Sequence, residues 1–216
     1  MTDRSSEGAM VTPLATHVRY LVRIAGAIAG SDEATVRSVM SAAMDGSPVD
    51  PGAVDEIILQ SYLFAGFPRA LNAARIWRAI SGTVAPEKDA ESDTADLEIW
   101  RERGLRTCET VYGASYEGLR QNIRRLHPTL DEWMIVDGYG KVLSRPGVDL
   151  RTRELCVVAA CAVAGQQRQL HSHLHGALNA GASAEEIQAV LDSLDDMISK
   201  EDLTKYRQLF VKVLAQ

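Results

Sequence analysis

The stretch Leu150–Gly181, LRTRELCVVAACAVAG followed by QQRQLHSHLHGALNAG, decides the fold class. Its β-branched residues sit inside windows of 3.6-residue apolar spacing, and the alternation of a half-buried strand is missing. Each half ends on a glycine, Gly165 and Gly181, where a helix C-terminus belongs. The same spacing runs outward in both directions. It predicts helices over 14–30, 32–45, 52–65, 69–81, 95–112, 115–126, 130–143, 150–165, 167–180, 184–197 and 200–214. Asp50-Pro51 places a cap before a first-turn proline. Thr129-Leu130-Asp131-Glu132 and Ser183-Ala184-Glu185-Glu186 read as capping boxes. Gly46, Gly82 and Gly113 mark further helix ends, and no segment reads as a strand. The expected fold is all-α.

The 216 residues carry 23 Lys+Arg against 29 Asp+Glu, a formal net charge of −6. That acidic balance opposes a nucleic-acid partner, which needs a basic face. The longest apolar run, within Leu155–Gly165, is too short to cross a bilayer. Met1–Gly8 has no apolar segment behind a basic patch, so no signal peptide is read there. Three cysteines, Cys108, Cys156 and Cys161, are too few and too irregularly spaced for a disulfide framework or a zinc site. The expectation is a soluble, cytoplasmic protein with no membrane partner.

Ser81–Asp96 (SGTVAPEKDAESDTAD) is polar, acidic and without apolar period. It suggests a flexible N-terminus over 1–12, a first module over 13–80, a linker over 81–95 and a second module over 96–216. The modules look like distant copies. Val18–Gly30 parallels Thr152–Gly165, Ala42-x3-Gly46 parallels Ala177-x3-Gly181, and Asp55-Glu56-Ile57 parallels Glu185-Glu186-Ile187.

One run is more specific. Tyr139-Gly140-Lys141-Val142-Leu143-Ser144-Arg145-Pro146-Gly147 leads into Arg151-Thr152-Arg153-Glu154-Leu155, then into His173-x3-Ala177-x3-Gly181 and Glu185-Glu186-Ile187. This resembles the carboxymuconolactone decarboxylase family, which includes the alkylhydroperoxidase D branch. The resemblance covers about residues 100–200 well and 18–75 more weakly, where Tyr62–Ala70 looks like the family's Y-x-G-x-P-x-A element. It implies a helical fold and assembly into symmetric rings.

The peroxidase branch requires Cys-x2-Cys with the second cysteine four residues before the histidine. Those positions hold Gln166 and Gln169. On one helix Cys156 and Cys161 would be ~8.6 Å apart at Cα, beyond the ~7 Å reach of a disulfide. Both read as small buried hydrophobes, and Cys108 as a packing residue. No thiol-dependent peroxidase turnover is therefore expected.

The decarboxylase resemblance makes His173 the catalytic acid or base, with Tyr139, Arg145 and Gln169 completing a substrate pocket. Gln169 stands where decarboxylases usually carry Glu, and Tyr139 where they generally have Trp. Arg145 would bind a carboxylate bidentately. Arg153 either does the same or pairs with Glu154 or a neighbouring helix. The second module has Asp192–Ile198 in place of Y-x-G-x-P, and the first has Ser38 in place of the histidine. His171 and His175, four residues apart, have a metal-capable spacing but no third ligand. No metal and no cofactor are expected. The Arg120–Arg125 cluster reads as a solvated face, and Trp77, Trp100 and Trp133 as core or interface anchors.

The leading functional reading is decarboxylation or proton transfer on a small organic acid or lactone. A silent binding or scaffold member of the family is the alternative, and an alkylhydroperoxidase-type antioxidant protein comes last. A homo-oligomer is expected, first a trimer of tandem modules and second a dimer. His173→Ala is expected to cost thermal stability no more than about 1–2 kcal/mol.

Overall fold

The computed structural model describes residues 13–46, 49–89, 91 and 96–216. The flexible N-terminus expected over 1–12 and linker residues 90 and 92–95 lie outside the described residues. The chain runs through α1 (Thr16–Gly30), α2 (Glu33–Gly46), α3 (Pro51–Ala65), α4 (Phe67–Ser81), α5 (Leu97–Tyr112), α6 (Tyr116–Leu126) and α7 (Pro128–Trp133). Helix α7 continues as π-helical turns over Met134–Leu143. Then follow α8 (Leu150–Val163), α9 (Gln167–Asn179), α10 (Ala184–Asp192) and α11 (Lys200–Leu214). No strand occurs among the described residues. The fold is all-α.

Helix α8 is the axle. Asp149 caps it, accepting hydrogen bonds from Thr152 N at 3.0 Å and from Thr152 Oγ1 at 2.7 Å. Every residue from Thr152 to Ala162 is buried, because the helix is apolar nearly all round and so needs neighbours on every side. Helices α1, α3, α9 and α10 supply them. Leu155, Val157 and Val158 lose all exposure, worth about 1.5–3 kcal/mol each. The paired repeat anchors fall on α1 and α8, on the ends of α2 and α9, and on α3 and α10. Residues from both halves join one core cluster.

The local start and stop signals hold at most helix ends. Asp50 accepts from Gly52 N, and Ser183 with Glu186 forms a complete capping box. Gly82, Gly113 and Gly181 sit at or just past helix ends with positive φ. Three expectations need correction. Thr129 is not a cap: α7 starts one residue earlier at Pro128, the His127 side chain accepts from Thr129 N, and Glu132 pairs with Arg101 instead. Helix α10 stops at Asp192 rather than 197. Its C-terminal end is held by Arg23, which donates to the Ser193 carbonyl and pairs with Asp196 at 2.6 Å.

The third concerns the arginine cluster, expected on a solvated face. Arg120 instead clamps Asp131 through two 2.7 Å hydrogen bonds, and Arg124 adds a third at 2.8 Å. Hydrogen bonding from Arg120 leads the forces that hold the Asp131 carboxyl below its usual range. A depressed folded value means this stabilisation is full above about pH 4, the unfolded value. It is lost as pH falls through the lower folded value. We expect Asp131→Asn to cost about 2–4 kcal/mol at pH 7 by urea denaturation. The difference from the parent should shrink towards pH 3, and a constant difference would refute the linkage.

Candidate functional site

Five elements converge beside the middle of α8. Helix α8 brings Glu154, α9 brings His173, α5 brings Tyr112, the π-helical segment brings Tyr139, and the end of α3 brings Phe64. Glu154 has no exposure and His173 retains 6%. His173 Nδ1 lies 2.8 Å from Glu154 Oε2. With Glu154 as a carboxylate, which only accepts, the contact assigns the donor role to Nδ1 and leaves Nε2 as the acceptor. Among the described residues the second oxygen, Glu154 Oε1, is buried without a hydrogen-bond partner. Such a buried, unmatched acceptor is costly and points to a functional use.

Space for this pair comes from Gly176, one helical turn after His173. A Cβ there would lie 2.6 Å from Glu154 Oε2 and 2.7 Å from Val111 Cγ1. Phe64 meets the His173 ring edge-on at 5.9 Å, and Tyr112 lies tilted at 6.4 Å. Tyr112 and Tyr139 pack edge to face at 6.0 Å. Burial pushes the hydroxyls of both tyrosines well above their ordinary range. Desolvation likewise pushes the Cys108 and Cys161 thiols up to about 12, and Cys156 higher still. All three cysteines are buried, free and held as neutral thiols, so none has the thiolate character of a redox nucleophile.

A cavity of about 260 Å³ is lined by Leu63, Phe64, Ala160, Cys161, Ala164, Gln166 and Gln169, and neither Glu154 nor His173 forms part of its wall. Phe64 is the shared wall between this space and the His173 ring. Gln169 stands exposed at the cavity, and among the described residues it makes no hydrogen bond to His173. Tyr139 is 4% exposed and reaches the site only through Tyr112.

Arg145 is not brought to His173. Its guanidinium is taken by Glu56 at 2.9 Å and by Asp89 at 3.0 Å, and it lines other cavities. The Glu56 hydrogen bond, ahead of the opposing effect of burial, raises its pKa further. Arg153 turns to the neighbouring helix α3 rather than to Glu154. It is fully buried and donates to Glu56 at 2.8 Å, Gln60 at 3.3 Å and the Val148 carbonyl at 3.1 Å.

Glu154 and Phe64, which stand inside the quoted motifs, and Tyr112 were not read as site residues from the sequence. The available signal was Glu154 itself, a carboxylate opening the run LCVVAACAVA. A charge in an otherwise buried helix needs a partner. His171 and His175 meet edge to face at 5.1 Å, and burial, then the neighbouring His171, lowers the pKa of His175. No group of three or more metal-capable side chains occurs among the described residues.

The buried carboxylate, its histidine and the segments presenting them all fall within residues 132–200, which match the carboxymuconolactone decarboxylase family. The similarity to that family is carried by this stretch, about a third of the chain. The matched stretch takes in the end of α7, the π-helical turns and α8 to α10. Tyr112 and Phe64 therefore reach the Glu154–His173 pair from outside the matched stretch.

Two curated relatives extend over more of the chain. Peroxisomal protein 2 of Schizosaccharomyces pombe is 27% identical over 177 residues, covering 81% of this chain and 82% of the relative. Peroxisomal protein 2 of Saccharomyces cerevisiae is 24% identical over 160 residues, covering 62% of this chain and 56% of the relative. These names overturn the cytoplasmic expectation, since they point to the peroxisome rather than plain cytoplasm. The absence of a signal peptide reading and the acidic composition bear on secretion and charge, not on choice of organelle. Among the described residues no helix is long and apolar enough to cross a membrane.

Proposed function

We propose that this chain is an acid–base catalyst for a small organic acid or lactone, moving a proton at the Glu154–His173 pair. The observation that carries the reading is the 2.8 Å contact between a carboxylate with no exposure and a histidine ring, whose neighbour Phe64 lines a cavity of about 260 Å³. His173 Nε2 would take a proton from a carbon beside a carbonyl, leaving the bonding pair as an enolate. It would return that proton to the same or a conjugated carbon. Glu154 fixes the ring tautomer and stabilises the imidazolium formed between the two steps. Because the cavity is walled mainly by apolar side chains and two glutamines, the lactone is the better fit of the two substrate classes. Peroxisomal location belongs to the same reading, carried by the names of both relatives.

The test is deuterium exchange. The full chain is incubated in D2O with a panel of γ- and δ-lactones and 3-oxo acids, and α-carbon labelling is followed by NMR. We expect labelling with the lactones and a loss of about 10²–10⁴-fold in Glu154→Gln and His173→Gln. Labelling unchanged by both substitutions would reject the pair as the catalyst. A second reading, a binding member without turnover, is favoured by the neutral amide of Gln169 at the cavity. It would give saturable binding of a panel member with no labelling.

A further inference from the structure

We propose that a separate cavity, between the α3–α4 junction and the π-helical segment, binds a small organic cation: an ammonium group with an apolar or aromatic body. The cavity measures about 540 Å³, within the range of small-ligand sites. Leu59, Tyr62, Phe67 and Trp133 form its apolar walls. The Tyr62 and Phe67 rings stack at 5.0 Å with 28° between planes. Phe67 is 66% exposed and Trp133 59%, so two large aromatic faces stand open to whatever enters. Aromatic faces attract cations through their negative quadrupole.

The charges around this space decide the sign of the ligand. Arg145 is neutralised by Glu56 and Asp89, so it offers nothing to an anion. Lys141 also lines the cavity, but its ammonium lies over the Trp100 ring, 5.2 Å from the centroid, and Trp100 is not part of the wall. Asp137 is different. It is half-buried in the wall, and among the described residues it has no hydrogen bond and no ion pair. Burial and then the charge of Asp137 push the Tyr62 hydroxyl above its usual range, which places that unmatched carboxylate beside the aromatic stack. An uncompensated half-buried carboxylate among π faces is the arrangement that selects an organic cation over an anion or a neutral molecule. The cavity lies apart from the Glu154–His173 pair, so the inference does not depend on the proposed catalysis.

The experiment titrates the full chain with benzyltrimethylammonium and, as an anion of similar shape, benzoate. Calorimetry gives the affinity and tryptophan fluorescence reports Trp133. We expect saturable binding of the ammonium probe alone, weakened at least tenfold by Asp137→Asn and by Trp133→Leu, and not weakened by Lys141→Gln. Trp133 is mostly exposed, so its substitution carries the test should Asp137→Asn misfold by circular dichroism. Benzoate binding as tightly as the cation and losing affinity in Lys141→Gln would overturn the proposal, as would an absence of saturable binding at millimolar probe. Sedimentation adds a further arm. A self-associated parent that Trp133→Leu makes smaller, with no cation bound, would assign the face to a second copy of the chain and reject the cation site.

Discussion

His173→Ala is expected to cost about 3–5 kcal/mol of stability, the price of stranding a buried charge. Glu154 has no exposure, and its hydrogen bond to His173 Nδ1 is its one bond among the described residues. Truncation removes that bond while Glu154 Oε1 already lacks a partner. The whole carboxylate would then be unmatched inside the protein. At roughly 2–4 °C per kcal/mol for a chain of this size, the melting temperature should fall by about 6–20 °C. This replaces the 1–2 kcal/mol expected when His173 was read as an isolated site residue. His173→Gln separates the two components of the effect. Its amide still donates to Glu154, so we expect a loss below about 2 kcal/mol, with the proposed proton exchange slowed about 10²–10⁴-fold all the same. A melting temperature for His173→Ala within a few degrees of the parent would show that water or a rearranged neighbour satisfies Glu154.

Gly140→Ala should be as damaging by a different route. The Gly140 Cα faces the carbonyl oxygen of Trp100 in α5, and a Cβ would collide with that oxygen. Gly104 of α5 faces the Ile135 carbonyl in the same way, so the two backbones touch on both sides of the crossing. Overpacking against side chains costs about 1–3 kcal/mol because rotamers can shift. Here the obstacles are main-chain atoms, and relief requires moving α5 off the π-helical segment. That movement would also disturb Tyr112 and Tyr139, which those two elements bring together. We expect a loss of at least about 3 kcal/mol in urea denaturation, and a similar loss for Gly104→Ala. Gly118→Ala is the control. It lies exposed in α6 with open space around it, and should stabilise by about 0.5–1 kcal/mol. Equal effects at Gly118 and Gly140 would mean that helix propensity, not close approach, governs both.

Periodicity and capping chemistry are local, so the sequence alone determined the helices, their glycine stops at Gly82, Gly113 and Gly181, and the all-α class. The family motif also singled out His173, because its spacing to Ala177 and Gly181 is written along one helix. The absence of Cys-x2-Cys is equally local, and burial of Cys108, Cys156 and Cys161 agrees with the packing role read for them. What joins the site is not local. Glu154 and His173 are 19 residues apart on different helices, and only the packing of α9 on α8, with Gly176 leaving room, makes them partners. Tyr112 arrives from α5, outside any motif, and Phe64 from α3, at an unspecified position of the Tyr62–Ala70 element. Arg145 shows the converse. Its motif suggested a substrate clamp, but Glu56 and Asp89, 89 and 56 residues earlier in the chain, fold back onto its guanidinium. A residue's type and helical face can be read from its neighbours in sequence. Whether its charge is free, paired or stranded depends on which distant helix the core packs against it, and that the tertiary structure alone decided.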